Sequence, residues 1–418
     1  MTSQFRSLSV PCVFLFLLFV STPAQAQLAP TADPATVGMS AERLSRISET
    51  LSPYVENDKL SGLMTMVYRR GEVVHFETHG DRDRQTNAPM NRETLFRIYS
   101  MTKPITTVAA LMLYEEGHFQ LDDPVAEYLP AFEDVQVYDT TAAGEPTRVE
   151  PRRPMTIRDL MTHTSGLTYG VFGNTPVDSM YTEVGILDND RTLAAAVDTL
   201  GTLPLMHQPG DTWHYSVSTD VLGRLVEVVS GQTLDTFFQT RIFEPLGMDD
   251  TMFEVPADEM DRFATNYAVG EDGSLVAQDR KASSAFAAPV QFLSGGGGLV
   301  STMDDYLRFA RMLLNEGAID GTRLLSPKTV ALMTQNHLDG THEPGWGFGL
   351  GVQVCTDLTD AQTLGSEGMY GWSGAANTFF FIDPKEELIG MAWTQLFPHG
   401  RYPIGPTFRV GVYQAIVE

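Results

Sequence analysis

Ser100 and Lys103 are the two residues whose types and spacing most directly suggest chemistry. Residues i and i+3 share one face of a helix, so the Lys103 amine can reach the Ser100 hydroxyl. Serine becomes a useful nucleophile when a neighbouring base takes its proton, and a lysine in a suitable environment can be that base. The same spacing also occurs as a helix cap followed by a surface lysine. Of the five lysines, however, only Lys103 has a serine three positions earlier, and an apolar segment follows it. The pair therefore predicts that Ser100 forms a covalent acyl-enzyme.

Two further segments can complete such a site. Residues 209–216 place Tyr215 after a Pro-Gly turn and just before a helical pattern. Its hydroxyl can either shuttle a proton to and from Ser100 or simply be packed. Residues 371–375 read Gly-Trp-Ser-Gly-Ala at the beginning of a strand-like run. Small residues let a substrate approach the backbone, so the amides of Ser100 and Ala375 can form an oxyanion hole, although glycine in an edge strand also marks bulges.

The elements that must position these residues divide the chain into strand-rich ends and a helical middle. Strands are predicted at residues 62–68, 73–77, 348–355, 378–382 and 388–393. Helices are predicted at residues 40–55, 105–116, 217–229, 306–314 and 408–417. The stretches 131–155 and 166–205 have no regular pattern and are expected to be loops that wall or cover the substrate site. The expected fold class is α+β, with an antiparallel sheet built from both chain ends, flanking helices and an inserted, mostly helical domain.

The first residues have the pattern of a secretory signal peptide. Arg6 precedes an apolar run, and residues 24–26 (Ala-Gln-Ala) supply the small residues that signal peptidase requires. The run is too short to span a bilayer comfortably. We expect cleavage after Ala26 and a periplasmic or secreted protein without a stable membrane anchor. The predicted domains are a signal peptide at 1–26, a sheet domain at 27–98 and 285–418, and a helical domain at 99–284 with substrate-lining loops.

Composition narrows the possible partners. The 418-residue chain has a net charge of −25, which disfavours nucleic acid and anionic lipid as partners. The predicted acyl-enzyme chemistry of Ser100 makes a small ester or amide the expected partner. Beyond the predicted signal peptide the only cysteine is Cys355, which cannot form an internal disulfide. The nine histidines contain no His-Glu-x-x-His pattern, so no metal or other cofactor is expected. His163 is expected to make structural hydrogen bonds. The Gly-x-Ser-x-Gly motif of α/β-hydrolases does not occur.

In four ordered segments the sequence resembles the serine β-lactamase-like hydrolases. This family includes class C β-lactamases, D-Ala-D-Ala carboxypeptidases and family VIII carboxylesterases. The segments are the Ser-x-x-Lys at 100–103, Leu-Met-Thr-His-Thr-Ser-Gly-Leu at 160–167, the tyrosine loop at 209–216, and a glycine-rich strand and helix at 294–299 and 305–309. The resemblance extends from about Val37 to the C-terminus. It implies a β-lactamase/transpeptidase-like fold in which Ser100 is the nucleophile, Lys103 the general base and Tyr215 the proton relay.

Two departures from the family pattern place the chain closest to the esterase branch. The β-lactamases and peptidases carry Tyr-x-Asn, but the third position here is Val217, which has no amide to hold a substrate carbonyl. They also carry Lys-Thr-Gly or His-x-Gly on the strand edge, where this chain has Trp372, Ser373 and Gly374. These four residues are the expected substrate-binding residues. Without a cation at the strand edge, anionic substrates are disfavoured by roughly a few kcal/mol.

The resulting hypothesis is a carboxylesterase that acts on small to medium neutral esters. One alternative is a β-lactamase, D-Ala-D-Ala carboxypeptidase or D-aminopeptidase, and a second is a transacylase. A non-catalytic relative that binds peptidoglycan is disfavoured because Ser100, Lys103 and Tyr215 are all retained. Since no strand lysine accompanies Tyr215, we infer that Lys103 carries most of the base role and that Tyr215 acts mainly as the acid toward the leaving alcohol.

Overall fold

The computed structural model describes residues 32–287 and 289–418, so the predicted signal peptide lies outside the described residues. The strands are β1 (Gly62–Arg69), β2 (Glu72–Asp83), β3 (Ala88–Pro89), β4 (Phe96–Arg97), β5 (Val137–Thr140), β6 (Pro146–Val149), β7 (Asn266–Val269), β8 (Leu275–Asp279), β9 (Val300–Ser301), β10 (Ala318–Ile319), β11 (Thr322–Arg323), β12 (Trp346–Phe348), β13 (Gln353–Cys355), β14 (Tyr370–Ser373), β15 (Thr378–Asp383), β16 (Leu388–Trp393) and β17 (Leu396–Phe397). The helices are α1 (Ala41–Glu56), α2 (Thr102–Glu115), α3 (Ile157–Thr162), α4 (Pro176–Glu183), α5 (Leu193–Leu200), α6 (Ser218–Ser230), α7 (Leu234–Phe238), α8 (Glu244–Leu246), α9 (Met303–Leu314), α10 (Pro327–Met333), α11 (Leu358–Ala361) and α12 (Ile404–Tyr413).

One large sheet organises the described chain. Its eight strands lie in the order β12-β13-β14-β15-β16-β1-β2-β3, and neighbouring strands are antiparallel. The hairpin near the N-terminus therefore joins strands near the C-terminus through the pairing of β1 with β16, in which Met66 lies opposite Met391. The predicted α+β class, with an antiparallel sheet built from both chain ends, is confirmed.

The side chains of β1 alternate between two hydrophobic cores. Met64 and Met66 belong to the larger cluster, which also contains residues of α2, α6 and α9. Leu63 and Val67 belong to a second cluster with residues of α1 and α12. Successive side chains of a strand point to opposite faces, so a strand buried along its whole length must be covered on both sides. The larger cluster is the one that carries the site described below.

Helix α2 is buried from Thr102 to Leu113, which explains why its sequence shows no polar face. It packs against α6, which the glycine-rich segment 294–298 also approaches closely. A Cβ atom on Gly223 of α6 would lie 3.4 Å from Gly295 Cα and 2.9 Å from the Leu234 side chain. Glycine at position 223 therefore lets the segment 294–298 and helix α7 lie close to α6.

Several predicted boundaries are wrong. The predicted strand at 348–355 is divided: Phe348 ends β12, the chain turns at Gly351 with a φ of 75°, and only residues 353–355 form β13. The predicted loops at 131–155 and 166–205 contain β5, β6, α4 and α5. The last helix begins at Ile404, before its predicted start, and the glycine-rich residues 294–299 precede the short strand β9 instead of forming one.

The proposed domain boundaries at 98/99 and 284/285 stay a prediction. Cys355 lies in β13 and is buried. Within the described ranges, no helix combines the length and apolar character needed to cross a bilayer.

Candidate active site

Ser100 lies in a 3₁₀ turn, Tyr99–Met101, that leads directly into α2. Amides in the first turn of a helix have no acceptor within it, and the positive end of the helix dipole lies there. Tyr99 has a φ of 43°, a left-handed conformation that is uncommon for residues other than glycine. Half-buried Ser100 lines a cavity next to this bend.

Lys103 is completely buried, and its amine meets three oxygen atoms. The Nζ atom lies 3.3 Å from Ser100 Oγ, 2.9 Å from Tyr169 Oη and 2.5 Å from the carbonyl oxygen of Gly296. Burying an amine without partners would be costly, so these contacts make its position tolerable. The spacing along α2 predicted the contact with Ser100, whereas Tyr169 and Gly296 were not predicted as partners.

Tyr215 approaches Ser100 from the loop that precedes α6. Its hydroxyl donates a hydrogen bond of 2.7 Å to Ser100 Oγ. Its ring centroid lies 4.8 Å from Lys103 Nζ, a cation–π distance when the amine is protonated. The ring also packs against Tyr169 and Trp372, with centroids 5.3 Å and 5.6 Å away. The structure therefore brings the predicted nucleophile, base and relay into direct contact.

Asp220 on α6 holds the glycine-rich segment against Lys103. Its Oδ1 accepts hydrogen bonds from Ser294 Oγ at 2.5 Å and from the Gly296 amide at 3.0 Å. Burial raises the pKa of the Asp220 carboxyl, and the neighbouring Lys103 partly opposes this shift. A Cβ on Gly296 would lie only 2.5 Å from Asp220 Oδ2, so glycine is required there. Asp220 follows Tyr215 by five positions, but no sequence pattern marks it as a neighbour of Lys103.

His163 packs against the ring of Tyr215. It ends α3 with a φ of 55°, and its Nδ1 accepts from the Ser216 amide at 3.4 Å. Its ring lies 4.8 Å from that of Tyr215. Burial, followed by the charge of Lys103, lowers the pKa of His163 well below its usual value, so the ring is neutral. These contacts agree with the predicted structural role.

Of the two residues predicted for an oxyanion hole, Ser100 lies in the turn before α2 and Ala375 follows the end of β14. Ala375 and Ser100 both line the cavity, and neither amide donates to a backbone carbonyl of the described residues. Position 374, directly before Ala375, requires glycine, because a Cβ there would lie 2.4 Å from the Ile98 carbonyl oxygen. This close approach places the end of β14 beside the Ser100 turn, as two converging amide donors require.

The cavity beside Ser100 has a volume of about 740 Å³, within the range of small-molecule sites. Its wall is largely aromatic and aliphatic and includes no lysine or arginine among the described residues. The predicted residues Trp372, Ser373 and Gly374 all belong to this wall. Further apolar side chains come from four segments of the chain: Val171, Phe172, Leu187, Phe286, Val290, Phe292, Phe397 and Pro398.

Val217 does not line the cavity, contrary to the prediction that it binds substrate. It directly precedes α6, and it is 1% exposed within the larger hydrophobic core. The apolar character of the side chain explains this position, since valine gains free energy by burial whereas an asparagine there would require a partner. Among the described residues, no cluster of histidine, cysteine, aspartate or glutamate side chains is suited to hold a metal ion.

Comparison with known proteins extends these findings. The family model described as Beta-lactamase matches residues 47–411. Protein Rv1367c of Mycobacterium tuberculosis is 41% identical over 344 residues, covering 79% of this chain and 84% of that protein. Esterase EstB of Burkholderia gladioli is 32% identical over 380 residues, covering 85% and 91% respectively. The solved structure of EstCE1, described as a hydrolase with promiscuous acyltransferase activity, is 30% identical with a TM-score of 0.76 and covers 89% of this chain and 98% of that chain.

Proposed function

The chain belongs to the beta-lactamase family of serine hydrolases, and we propose from this premise that it is a carboxylesterase for neutral esters with apolar substituents. The observation that carries the proposal is the combination of a complete Ser100, Lys103 and Tyr215 network with a cavity wall free of lysine and arginine. A β-lactam or peptide carboxylate would find no charge-assisted partner on that wall. Similarity to EstB, which is named an esterase, supports the same substrate class.

Acylation in this proposal begins with Ser100 Oγ attacking the ester carbonyl carbon. Its proton passes to the lone pair of the Lys103 amine, whose N–H groups can at the same time donate to Tyr169 Oη and the Gly296 carbonyl oxygen. The amides of Ser100 and Ala375 would donate to the resulting oxyanion. No other base is needed for this step.

Collapse of the tetrahedral intermediate breaks the bond to the alcohol oxygen, which takes a proton from Tyr215 Oη. Tyr215 then recovers a proton from Lys103. Tyr169 can relay it, since its hydroxyl contacts Lys103 Nζ and its ring packs against that of Tyr215, with centroids 5.3 Å apart. In deacylation a water molecule attacks the acyl-enzyme, its proton leaves along the same path, and Ser100 regains its hydroxyl proton.

Acyl transfer to an alcohol is the second candidate function. EstCE1 is described as having promiscuous acyltransferase activity, and a cavity of about 740 Å³ has space for an acceptor alcohol beside the acyl group. An alcohol that replaces water in deacylation requires no further catalytic residue. The ratio of transfer product to free acid in a water–alcohol mixture separates the two activities.

Parallel assays test the proposal. Purified protein would be given short and medium p-nitrophenyl esters, nitrocefin and a D-Ala-D-Ala peptide, with Ser100→Ala as the matched inactive control. We expect ester turnover to exceed the other two reactions and a fluorophosphonate to label Ser100. Faster nitrocefin or peptide turnover would overturn the substrate class, and an unlabelled Ser100 would overturn the acyl-enzyme mechanism.

We also propose that the enzyme acts outside the cytoplasm, on the basis of the signal-peptide pattern at residues 1–26. Mass spectrometry of the protein recovered from a secreting bacterial host should find an N-terminus at Gln27. A retained N-terminal segment in the cytoplasmic fraction would contradict this proposal.

A further inference from the structure

One part of the largely apolar cavity wall contains a cluster of polar side chains. Tyr99, directly before the nucleophile, and Asp279, at the end of β8, both line the cavity. Asn266 lies directly opposite Asp279 in the pairing of β7 with β8, and its Nδ2 approaches Tyr99 Oη at 3.5 Å. These three residues form a continuous polar group, which we call the Tyr99–Asp279 patch. The mechanism proposed above uses none of their side chains.

Only one of the two carboxylate oxygens of Asp279 is held by hydrogen bonds from described residues. Its Oδ2 accepts hydrogen bonds from Arg97 Nε at 2.6 Å and from Ser284 Oγ at 3.1 Å. Arg97 is itself completely buried and is held further by the Ala264 carbonyl oxygen. Within the described part of the chain, Asp279 Oδ1 accepts no hydrogen bond from a side chain or backbone amide. Because the Asp279 side chain is 24% exposed, this oxygen can accept from a group in the cavity.

Tyr99 supplies the complementary donor. Its hydroxyl accepts from Asn266 Nδ2 at 3.5 Å, and within the described part of the chain no side chain or backbone carbonyl is found as an acceptor for the hydroxyl proton. Burial raises the pKa of Tyr99, which keeps the hydroxyl protonated. The adjacent Asn266 is 2% exposed, and its Oδ1 is buried without a hydrogen-bond partner. Buried polar groups in folded proteins are rarely unpaired, so the patch has more hydrogen-bonding capacity than the protein itself uses.

We propose that the Tyr99–Asp279 patch binds a hydroxyl group on the substrate ester, at a distance from the carbonyl that Ser100 attacks. The substrate hydroxyl donates to Asp279 Oδ1 and accepts from Tyr99 Oη. This inference rests on the proposed esterase function and narrows its substrate class to hydroxylated, otherwise apolar esters.

The electrostatics favour a neutral hydroxyl over a charged group. The Arg97 guanidinium already balances the Asp279 charge at 2.6 Å, so a substrate ammonium would gain little after losing its water. A substrate carboxylate would meet Asp279 at short range, with no lysine or arginine among the described residues of the cavity wall. A hydroxyl can use both the donor and the acceptor of the patch without burying a new charge.

Three p-nitrophenyl esters of equal chain length test the proposal: one ending in a hydroxyl group, one in a methoxy group and one in a methyl group. The methoxy group can accept a hydrogen bond but cannot donate one. We expect kcat/KM for the hydroxy ester to exceed that for the methoxy ester by about tenfold at the best chain length, as for one hydrogen bond to a charged group. The ratio within each protein variant is the readout, so differences in folded fraction cancel.

Two substitutions act on opposite ends of the patch. Asp279→Asn can still accept from Arg97 while turning an amide donor toward the cavity, so it should lower the hydroxy-to-methoxy ratio to about one. Tyr99→Phe keeps the ring but removes the hydroxyl, and should reduce the advantage of both oxygenated esters over the methyl ester. Asn189→Ala, at another polar position of the cavity wall, is the matched control and should leave the ratios as in the wild type.

The outcomes distinguish this inference from the proposed function. Rapid hydrolysis of all three esters with equal kcat/KM would overturn the hydroxyl site and leave the esterase function intact. A hydroxyl preference that persists in both Asp279→Asn and Tyr99→Phe would place the site elsewhere. No hydrolysis of any ester, with intact folding by circular dichroism, would overturn the esterase function itself.

Discussion

Replacing Gly296 with alanine tests how the base is held in position. A Cβ atom there would lie 2.5 Å from Asp220 Oδ2, about 0.9 Å short of ordinary contact at 3.4 Å. Asp220 cannot easily move away, because it is 2% exposed and its other oxygen is held by Ser294 and by Gly296 itself. The backbone at position 296 must therefore move, and this displaces the Gly296 carbonyl oxygen from Lys103 Nζ, which donates a hydrogen bond of 2.5 Å to it.

The expected loss follows from this displacement. A misplacement approaching 1 Å in a catalytic group reduces rates by about 10- to 100-fold, and overpacking costs about 1–3 kcal/mol of stability. Gly297→Ala is the matched control, since its nearest neighbouring atom would be 3.8 Å away, and it should fold with wild-type stability. Stopped-flow measurement of the p-nitrophenol burst gives the acylation rate, and differential scanning fluorimetry gives the melting temperature.

Two results would refute the reasoning. If folded Gly296→Ala acylates at the wild-type rate, the contact with Asp220 does not hold the base. If Gly297→Ala loses as much stability, the sensitivity belongs to the whole glycine-rich segment and not to the predicted steric conflict.

Three further predictions follow from the same structure. Lys103→Ala should slow acylation by about 10⁴-fold and Tyr215→Phe by only about 10²-fold for p-nitrophenyl esters, whose good leaving group needs little acid assistance; equal losses in burst kinetics would contradict the division of roles. Burial lowers the pKa of His75 to about 4 from the usual 6.5, so the folded state binds fewer protons and loses stability as pH falls from about 6.5 toward 4. His75→Gln should therefore flatten the decline of melting temperature over that range, and an unchanged slope would count against this assignment. Val217→Asn should lower the free energy of unfolding by about 1–3 kcal/mol in urea titrations, because its amide would be buried in the core without a partner. It should not confer nitrocefin turnover, and a gain of that activity would show that position 217 does reach the substrate.

The parts of the fold that the sequence predicted are those set by local periodicity. Helix α1 begins after Ser40, whose hydroxyl accepts from the Arg43 amide, as its capping pattern indicated. Strands β15 and β16 were recognisable from short apolar runs joined by a turn. The helices within residues 166–205 were not predicted. Short helices such as α4 and α5 bury only a few side chains each and therefore leave a weak periodic signal in the sequence.

The catalytic site divides in the same way. Ser100 and Lys103 lie on one helix turn, so their spacing alone predicted their contact. Tyr215 is 115 positions from Ser100, and only the resemblance to a family indicated that they meet. Tyr169 is 66 positions from Lys103, in a stretch that was expected to be a loop walling or covering the substrate site. Its hydroxyl contact depends on tertiary packing that no local pattern encodes.

Catalysis and substrate choice also depend on different parts of the structure, the surroundings of Lys103 and the cavity wall. The groups that hold Lys103, namely Asp220, Gly296 and Tyr169, are buried and tied by hydrogen bonds, so most substitutions there should reduce every reaction of the enzyme alike. The cavity wall instead includes exposed side chains such as Phe172, which is 71% exposed and can change without disturbing the core. One acylation apparatus can therefore serve different substrates, while the cavity wall and the strand edge select among them. On this argument, activity toward a new ester should be sought by varying the wall, and variants of the Lys103 surroundings should change rate constants without changing the order of substrates.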